Sequence, residues 1–184
     1  MEVDYQKCDR IWQRVSPELN PYPEVRAEQK PKKQLALPAA PDRNCCMGEA
    51  SMGELETIRG FLRDEIANAQ IYRCLAVLAP SQEGRRLMRR LASDAAARVK
   101  TLQSAYYLIT GETYRVAVVV PPQPKLPWCE QLRGRYHEEV CDGFNYQRAA
   151  DKTADVCLKK LMHELSAGKY RGAEQLRQHI ARAL

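Results

Sequence analysis

The sequence has little that would build a sheet. It carries two Phe and nine Gly in 184 residues, too few aromatic strand residues and turn glycines for an all-β design. No stretch approaches the roughly 18 consecutive apolar residues of a membrane helix, so no membrane span is expected. The opening Met1-Glu2-Val3-Asp4-Tyr5-Gln6 has no basic region followed by an apolar one, so no secretory signal is expected either. The seven cysteines, at 8, 45, 46, 74, 129, 141 and 157, are odd in number and form no CxxC pair. Reduced thiols in a cytoplasmic protein are therefore the expectation. Cys45-Cys46 is a poor redox or metal pair, because adjacent cysteines do not easily bridge each other or chelate. Gly-rich phosphate loops, Ser-His-Asp sets and Cys-His pairings in a credible context are also missing.

Charge narrows the classes further. The net charge of +6 would permit a nucleic-acid or membrane role. Arg85, Arg86, Arg89 and Arg90, however, are interleaved with apolar residues at helical spacing, and no stretch joins a basic stripe to aromatics for stacking. A solvated basic face is expected, with neither nucleic acid nor membrane as partner.

What is present is helical periodicity. Leu55, Ile58, Leu62, Glu65, Ala69, Tyr72 and Ala76 recur at alternating steps of three and four, the stripe of a helix facing a bundle core. A carboxylate, Glu65, stands in the middle of that stripe. Burying it costs several kcal/mol unless a cation, a metal or a proton compensates.

Residues 1–46 hold six of the eleven prolines and the basic run Lys30-Pro31-Lys32-Lys33, so most of this segment is expected to be extended. Within it, Tyr5, Cys8, Ile11, Trp12 and Val15 share one helical face. Residues 47–184 form the second region. A first helix is expected from near Ser51 to Ala79-Pro80. A second follows, with Ser81 as N-cap, running to about Ile109 and closing at Gly111. Its stripe is Gly84, Met88, Leu91, Ala95, Arg98, Leu102, Ala105 and Ile109. Tyr114 to Pro127 is β-branched and punctuated by proline, hence extended, and long enough to travel the length of a bundle. A third helix is expected from about Trp128 to Ala150 and a fourth from about Ala154 to Arg182.

The second half repeats the first. A shift of 74 residues places Ile58 on Leu132, Glu65 on Glu139, Ala69 on Gly143, Tyr72 on Tyr146 and Ala76 on Ala150. Without a gap it continues through Leu87-Met88 on Leu161-Met162 and Leu102 on Leu176. The chain reads as two copies of a helical hairpin, each opening with a Glu on its core stripe.

From about Cys45 onward the chain resembles the ferritin-like superfamily, particularly the rubrerythrin-like proteins of bacteria. The segments that carry the resemblance are Cys45-Cys46-Met47-Gly48, Asp64-Glu65 to Tyr72, Ser104 to Glu112, and Arg135-Tyr136-His137-Glu138-Glu139. The resemblance implies an all-α, antiparallel four-helix bundle in which two hairpins are joined by a long crossover. It also implies a dinuclear metal centre for iron oxidation or peroxide reduction, with one Glu from each of the first and third helices and a Glu-x-x-His from each of the others.

Carried over residue by residue, Glu65 and Glu139 match that pattern. The Glu-x-x-His positions fall on Ala95 and Arg98 and on Lys169 and Gly172, so four of the six ligand positions are replaced. Two carboxylates and two cations then share one level of the core. Arg98 is expected to reach Glu65, and Lys169 to reach Glu65 or Glu139. This predicts a metal-free bundle with an internal ion cluster. The competing reading has Arg98 and Lys169 snorkelling outward and a Glu held protonated. His179, seven residues past Gly172 on the same stripe, is expected to be a packed core residue rather than the third ligand of a mononuclear site. His137 is expected to point outward, and Asp94 is turned away from position 95 by ~100°. Tyr72 and Tyr146 are expected as core aromatics whose hydroxyls seek a buried acceptor.

The expected function is thus a non-catalytic structural or interaction protein with no bound cofactor, able to pair as a homodimer or with another protein. The alternative is an active iron- or manganese-binding oxidoreductase, or a metal-storage protein, with a reduced site.

Overall fold

Four long helices with matching stripes need few devices to position them, and the caps supply most of these. The computed structural model describes residues 46–118 and 126–183. A 3-10 turn, Glu49–Glu54, leads into α1, Leu55–Leu78; α2 is Gln82–Thr110, α3 is Trp128–Lys152 and α4 is Val156–Ala183. No strand occurs among the described residues. The expected features of residues 1–45, including the shared face from Tyr5 to Val15, lie outside them.

The ends of the helices follow local chemistry. Ser81 caps α2 by accepting a hydrogen bond from the Gly84 N–H at 3.0 Å. Asp155, 74 residues later, caps α4 through Oδ1, which accepts from the N–H groups of Cys157 and Leu158 at 2.9 and 2.8 Å. The caps therefore obey the same repeat as the stripes. Asp155 also moves the start of α4 to Val156, two residues past the expected position, because a capping carboxylate holds the residues before it outside the helix. α1 begins at Leu55 rather than near Ser51, since the preceding turn is wound more tightly. Gly111 closes α2 at φ +73, with its N–H 2.7 Å from the Tyr107 carbonyl; only glycine takes that conformation at no steric cost.

Side-chain contacts fix the directions. Arg59, early in α1, donates to the Tyr106 hydroxyl late in α2 at 2.7 Å, so these helices are antiparallel. Tyr72 meets Glu139 and Tyr146 meets Glu65, which sets α1 antiparallel to α3. Arg182, near the end of α4, meets Glu83 at the start of α2 at 2.9 Å. α2 and α3 therefore run in the same direction, and their connection must span the bundle. α2, with 29 residues, is about 44 Å long. Residues 111–127 between the two helices can reach about 56 Å when extended, so the length suffices.

The core divides into two apolar clusters. Ile58, Leu62, Leu102, Tyr146, Leu158 and Met162 belong to one, and Tyr72, Leu75, Met88, Leu91, Leu132 and Leu176 to the other. Each helix sends a buried charged side chain to the boundary between the clusters: Glu65, Arg98, Glu139 and Lys169.

Candidate functional site

These four side chains are buried together. Glu65 is 1% exposed, Glu139 and Lys169 0%, and Arg98 7%. The Lys169 ammonium is the hub, with Nζ 3.1 Å from Glu65 Oε1, 3.2 Å from Glu139 Oε1 and 2.8 Å from Asp142 Oδ2. Arg98 Nε lies 2.9 Å from Glu65 Oε2, and its Nη2 is 4.0 Å from Glu139 Oε1. The side chains of Arg98 and Lys169 both turn inward.

Two phenols complete the coordination of the carboxylates. The Tyr72 hydroxyl donates to Glu139 Oε1 at 2.8 Å, and the Tyr146 hydroxyl donates to Glu65 Oε1 at 3.0 Å. Each tyrosine thus serves the carboxylate of the other repeat. Burial, and then the charge of the carboxylate each one faces, pushes both phenols well above their ordinary range. They remain hydrogen-bond donors across the accessible pH range.

Asp142 and Asn68 complete the cluster, and neither was among the expected site residues. Asn68 Nδ2 donates to Asp142 Oδ2 at 3.1 Å, the oxygen that also accepts from Lys169. The cluster therefore has three carboxylates against two cations, not the two and two that the stripes suggested. The third is tolerable because the Asp142 side chain is 19% exposed and water carries part of its charge. The repeat itself held the signal: Asn68 and Asp142 are 74 residues apart, each three residues past its Glu.

Glycine makes room for this arrangement. A Cβ at Gly172 would lie 2.7 Å from Glu139 Oε2 and 3.3 Å from Leu91 Cδ2. Under the repeat, Gly172 corresponds to Arg98, and Ala95 corresponds to Lys169. Each long cation is thus matched by a small residue in the other half, so the core volume is kept.

The packing is not fully satisfied. Glu65 Oε2, Glu139 Oε2, Arg98 Nε and Arg98 Nη2 make no hydrogen bond among the described residues. The Arg98–Glu65 contact is short, but the N–H does not aim at the oxygen, so the attraction is one of charge rather than of hydrogen bonding. Burial pushes the Lys169 ammonium down, and the charges of Glu65, Glu139 and Asp142 outweigh it and hold the group above the usual lysine range. Burial likewise acts against Arg98, and Glu65 followed by Glu139 more than reverses it. A protonated lysine has no lone pair with which to attack a substrate, so Lys169 acts in this cluster as a fixed positive charge.

The dinuclear centre implied by the resemblance does not fit these residues. Ala95 and Gly172 have no donor atoms, and Arg98 and Lys169 repel a cation. The Lys169 ammonium stands where the two glutamates converge. Among the described residues no group of three or more His, Cys, Asp and Glu side chains is placed to hold a metal ion. His179 is buried, with Nδ1 3.9 Å from Glu83 Oε1 near the start of α2, and forms no hydrogen bond or ion pair with Glu65 or Glu139. His137 and Asp94 are exposed.

The cysteines depart from expectation. Cys46 and Cys157 form a disulfide with a Cα–Cα distance of 5.4 Å, so these two are not reduced thiols. Cys74, Cys129 and Cys141 have no disulfide partner among the described residues. No helix among the described residues is long and apolar enough to cross a membrane. Comparison with protein-family models, with curated proteins and with solved structures gave no match.

Proposed function

We propose that this chain is a ferritin-like, rubrerythrin-like bundle whose interior has exchanged a dinuclear metal centre for fixed charges, and that it acts as a non-catalytic structural or interaction protein. The observation that carries this reading is the Lys169 ammonium within 3.2 Å of three carboxylates. It supplies internally the positive charge that iron or manganese would bring. The helix directions and the long α2–α3 connection support the topology. A buried ion cluster of this kind selects register more than it adds stability, because desolvation offsets most of the Coulomb attraction.

For the interaction role the outer faces matter. Tyr107 and Leu108 on α2 and Phe144 on α3 are more than half exposed, and they offer apolar surface to a second copy or to another protein.

The test is metal content, measured by elemental mass spectrometry on untagged protein grown with iron and manganese. The expected result is below about 0.1 metal per chain with helicity intact, since structural or catalytic sites fill stoichiometrically. One or more tightly held metals, lost on Glu65→Ala with Glu139→Ala, would overturn the reading in favour of an oxidoreductase or storage protein. Ferroxidase and peroxide assays would then separate those two.

A further inference from the structure

The bond between Cys46 and Cys157 joins the chain just ahead of the 3-10 turn to the second residue of α4. Around it, one carboxylate organises the corner. Asp155 Oδ2 accepts from the Met47 N–H at 2.6 Å and from the Ser51 hydroxyl at 2.9 Å, while Oδ1 caps α4. Ser51 is fully buried. These hydrogen bonds hold the entry segment against α4 whether or not the sulfurs are joined. Because these ties do not involve the sulfurs, the two thiols are expected to stay within reach of each other when the bond opens.

The two sulfurs differ in access. Cys46 is exposed and Cys157 is half-buried. Thiol–disulfide exchange needs the attacking thiolate in line with the S–S bond, so access decides which sulfur is attacked.

We propose that Cys46–Cys157 is a reversible thiol–disulfide exchange site that takes a small thiol of the glutathione class at Cys46. The thiolate attacks Cys46 Sγ, and the electron pair of the Cys46–Cys157 bond leaves on Cys157 Sγ. A second small thiolate attacks the small thiol's sulfur in the mixed disulfide and releases Cys46 as a thiolate, which takes a proton from solvent, as does that of Cys157. Two small thiols are oxidised to their disulfide and one protein disulfide is reduced. Opening the bond removes the covalent tie at Cys46 and leaves the entry segment held to Asp155 by the Met47 and Ser51 hydrogen bonds alone. This inference rests on the α3–α4 corner alone and is independent of the interior charges.

The experiment uses the full chain, purified without reductant and equilibrated in buffers of graded reduced-to-oxidised glutathione ratio. Thiols are then trapped with a maleimide and located by peptide mapping. Cys46 and Cys157 are expected to be protected at the oxidising end and to become labelled together as the ratio rises. Exposed Cys74 and Cys141 should either label or carry a glutathione adduct at the oxidising end, whereas Cys46 and Cys157 should there carry neither, and returning the ratio should restore that protection. The melting temperature should fall on the order of 10 °C on opening, because the bond closes a loop with a sequence separation of 111 residues. Labelling of both residues at the oxidising end, Cys45 found bonded to Cys157, or a failure to re-form would overturn the proposal. Direction is read from single variants treated with glutathione disulfide. The adduct should form on Cys46 in Cys157→Ser at least about tenfold faster than on Cys157 in Cys46→Ser, as access dictates. The reverse order would overturn the assignment of Cys46, and the wild-type titration stands even if a variant folds poorly.

Discussion

Asn68 and Asp142 occupy the same position in successive repeats, and they touch each other, Nδ2 to Oδ2 at 3.1 Å. Equivalent residues can meet only where the pseudo-twofold axis relating the two hairpins passes. That axis runs between α1 and α3 beside Lys169. The crossed pairs Tyr72–Glu139 and Tyr146–Glu65 lie symmetrically about it.

Lys169→Met keeps the length of the side chain and removes the charge, leaving Glu65, Glu139 and Asp142 without their shared cation. Urea unfolding near neutral pH should show a loss of about 3–5 kcal/mol. Adding Glu139→Gln should recover part of it, because an amide does not need the cation. A single-variant loss below about 1 kcal/mol, the size of an ordinary exposed ion pair, would mean that Lys169 is not the counter-ion.

Tyr72→Phe and Tyr146→Phe each remove one donor from a buried carboxylate. By the pseudo-symmetry the two should cost similar amounts, about 1–3 kcal/mol each. Chemical denaturation of both single variants measures this. A large effect from one and none from the other would show that the two halves do not share the load.

Gly172→Ala places a methyl group 2.7 Å from Glu139 Oε2. It should cost about 1–3 kcal/mol despite the better helix propensity of alanine. Gly60→Ala meets nothing within 4 Å and should gain about 0.5–1 kcal/mol. Melting curves of the pair compare the same chemical change in two surroundings. Equal effects would remove the steric role assigned to Gly172.

Burial raises the Asp155 carboxyl, but donors from Leu158, Met47, Ser51 and Cys157 outweigh it and leave it below the ordinary aspartate value. A carboxyl depressed in the folded state adds stability that is present above about pH 3.9, the unfolded value. That stability is lost as pH falls through the lower, folded value. Asp155→Asn keeps one capping oxygen, removes the charge and turns the Oδ2 position, which accepts from Met47 and Ser51, into a donor. The charge part of the stability gap between wild type and variant, with the disulfide intact, should be widest at pH 5–7, so the gap should narrow as pH drops below about 3.5. A gap independent of pH would show that shape, not charge, holds the corner.

Much of this arrangement was legible in the sequence, for definite reasons. Stripe residues such as Ile58, Met88, Leu102 and Leu176 are all buried, because a 3.6-residue period leaves them one face to share. Arg98 opposite Glu65 could be anticipated because the repeat set both at one level. Asp142 was missed because it stands at the edge of the stripe, where a carboxylate ordinarily reads as solvated; comparison with Asn68 at the repeat distance would have singled it out. The bond between Cys46 and Cys157 had no such signal. It joins a turn to a helix start 111 residues away, and only the packed corner brings them together.

The exchange of small and large residues between Ala95 and Lys169, and between Arg98 and Gly172, has a consequence for how the two halves can pair. Two copies of the first hairpin would bring together two guanidinium groups with no glycine opposite either. Two copies of the second would confront four carboxylates with two ammonium groups and leave unfilled space where Arg98 now lies. Neither hairpin is self-complementary. The two halves are unlike partners, and the linkage between them holds together a pairing that two identical hairpins would lack.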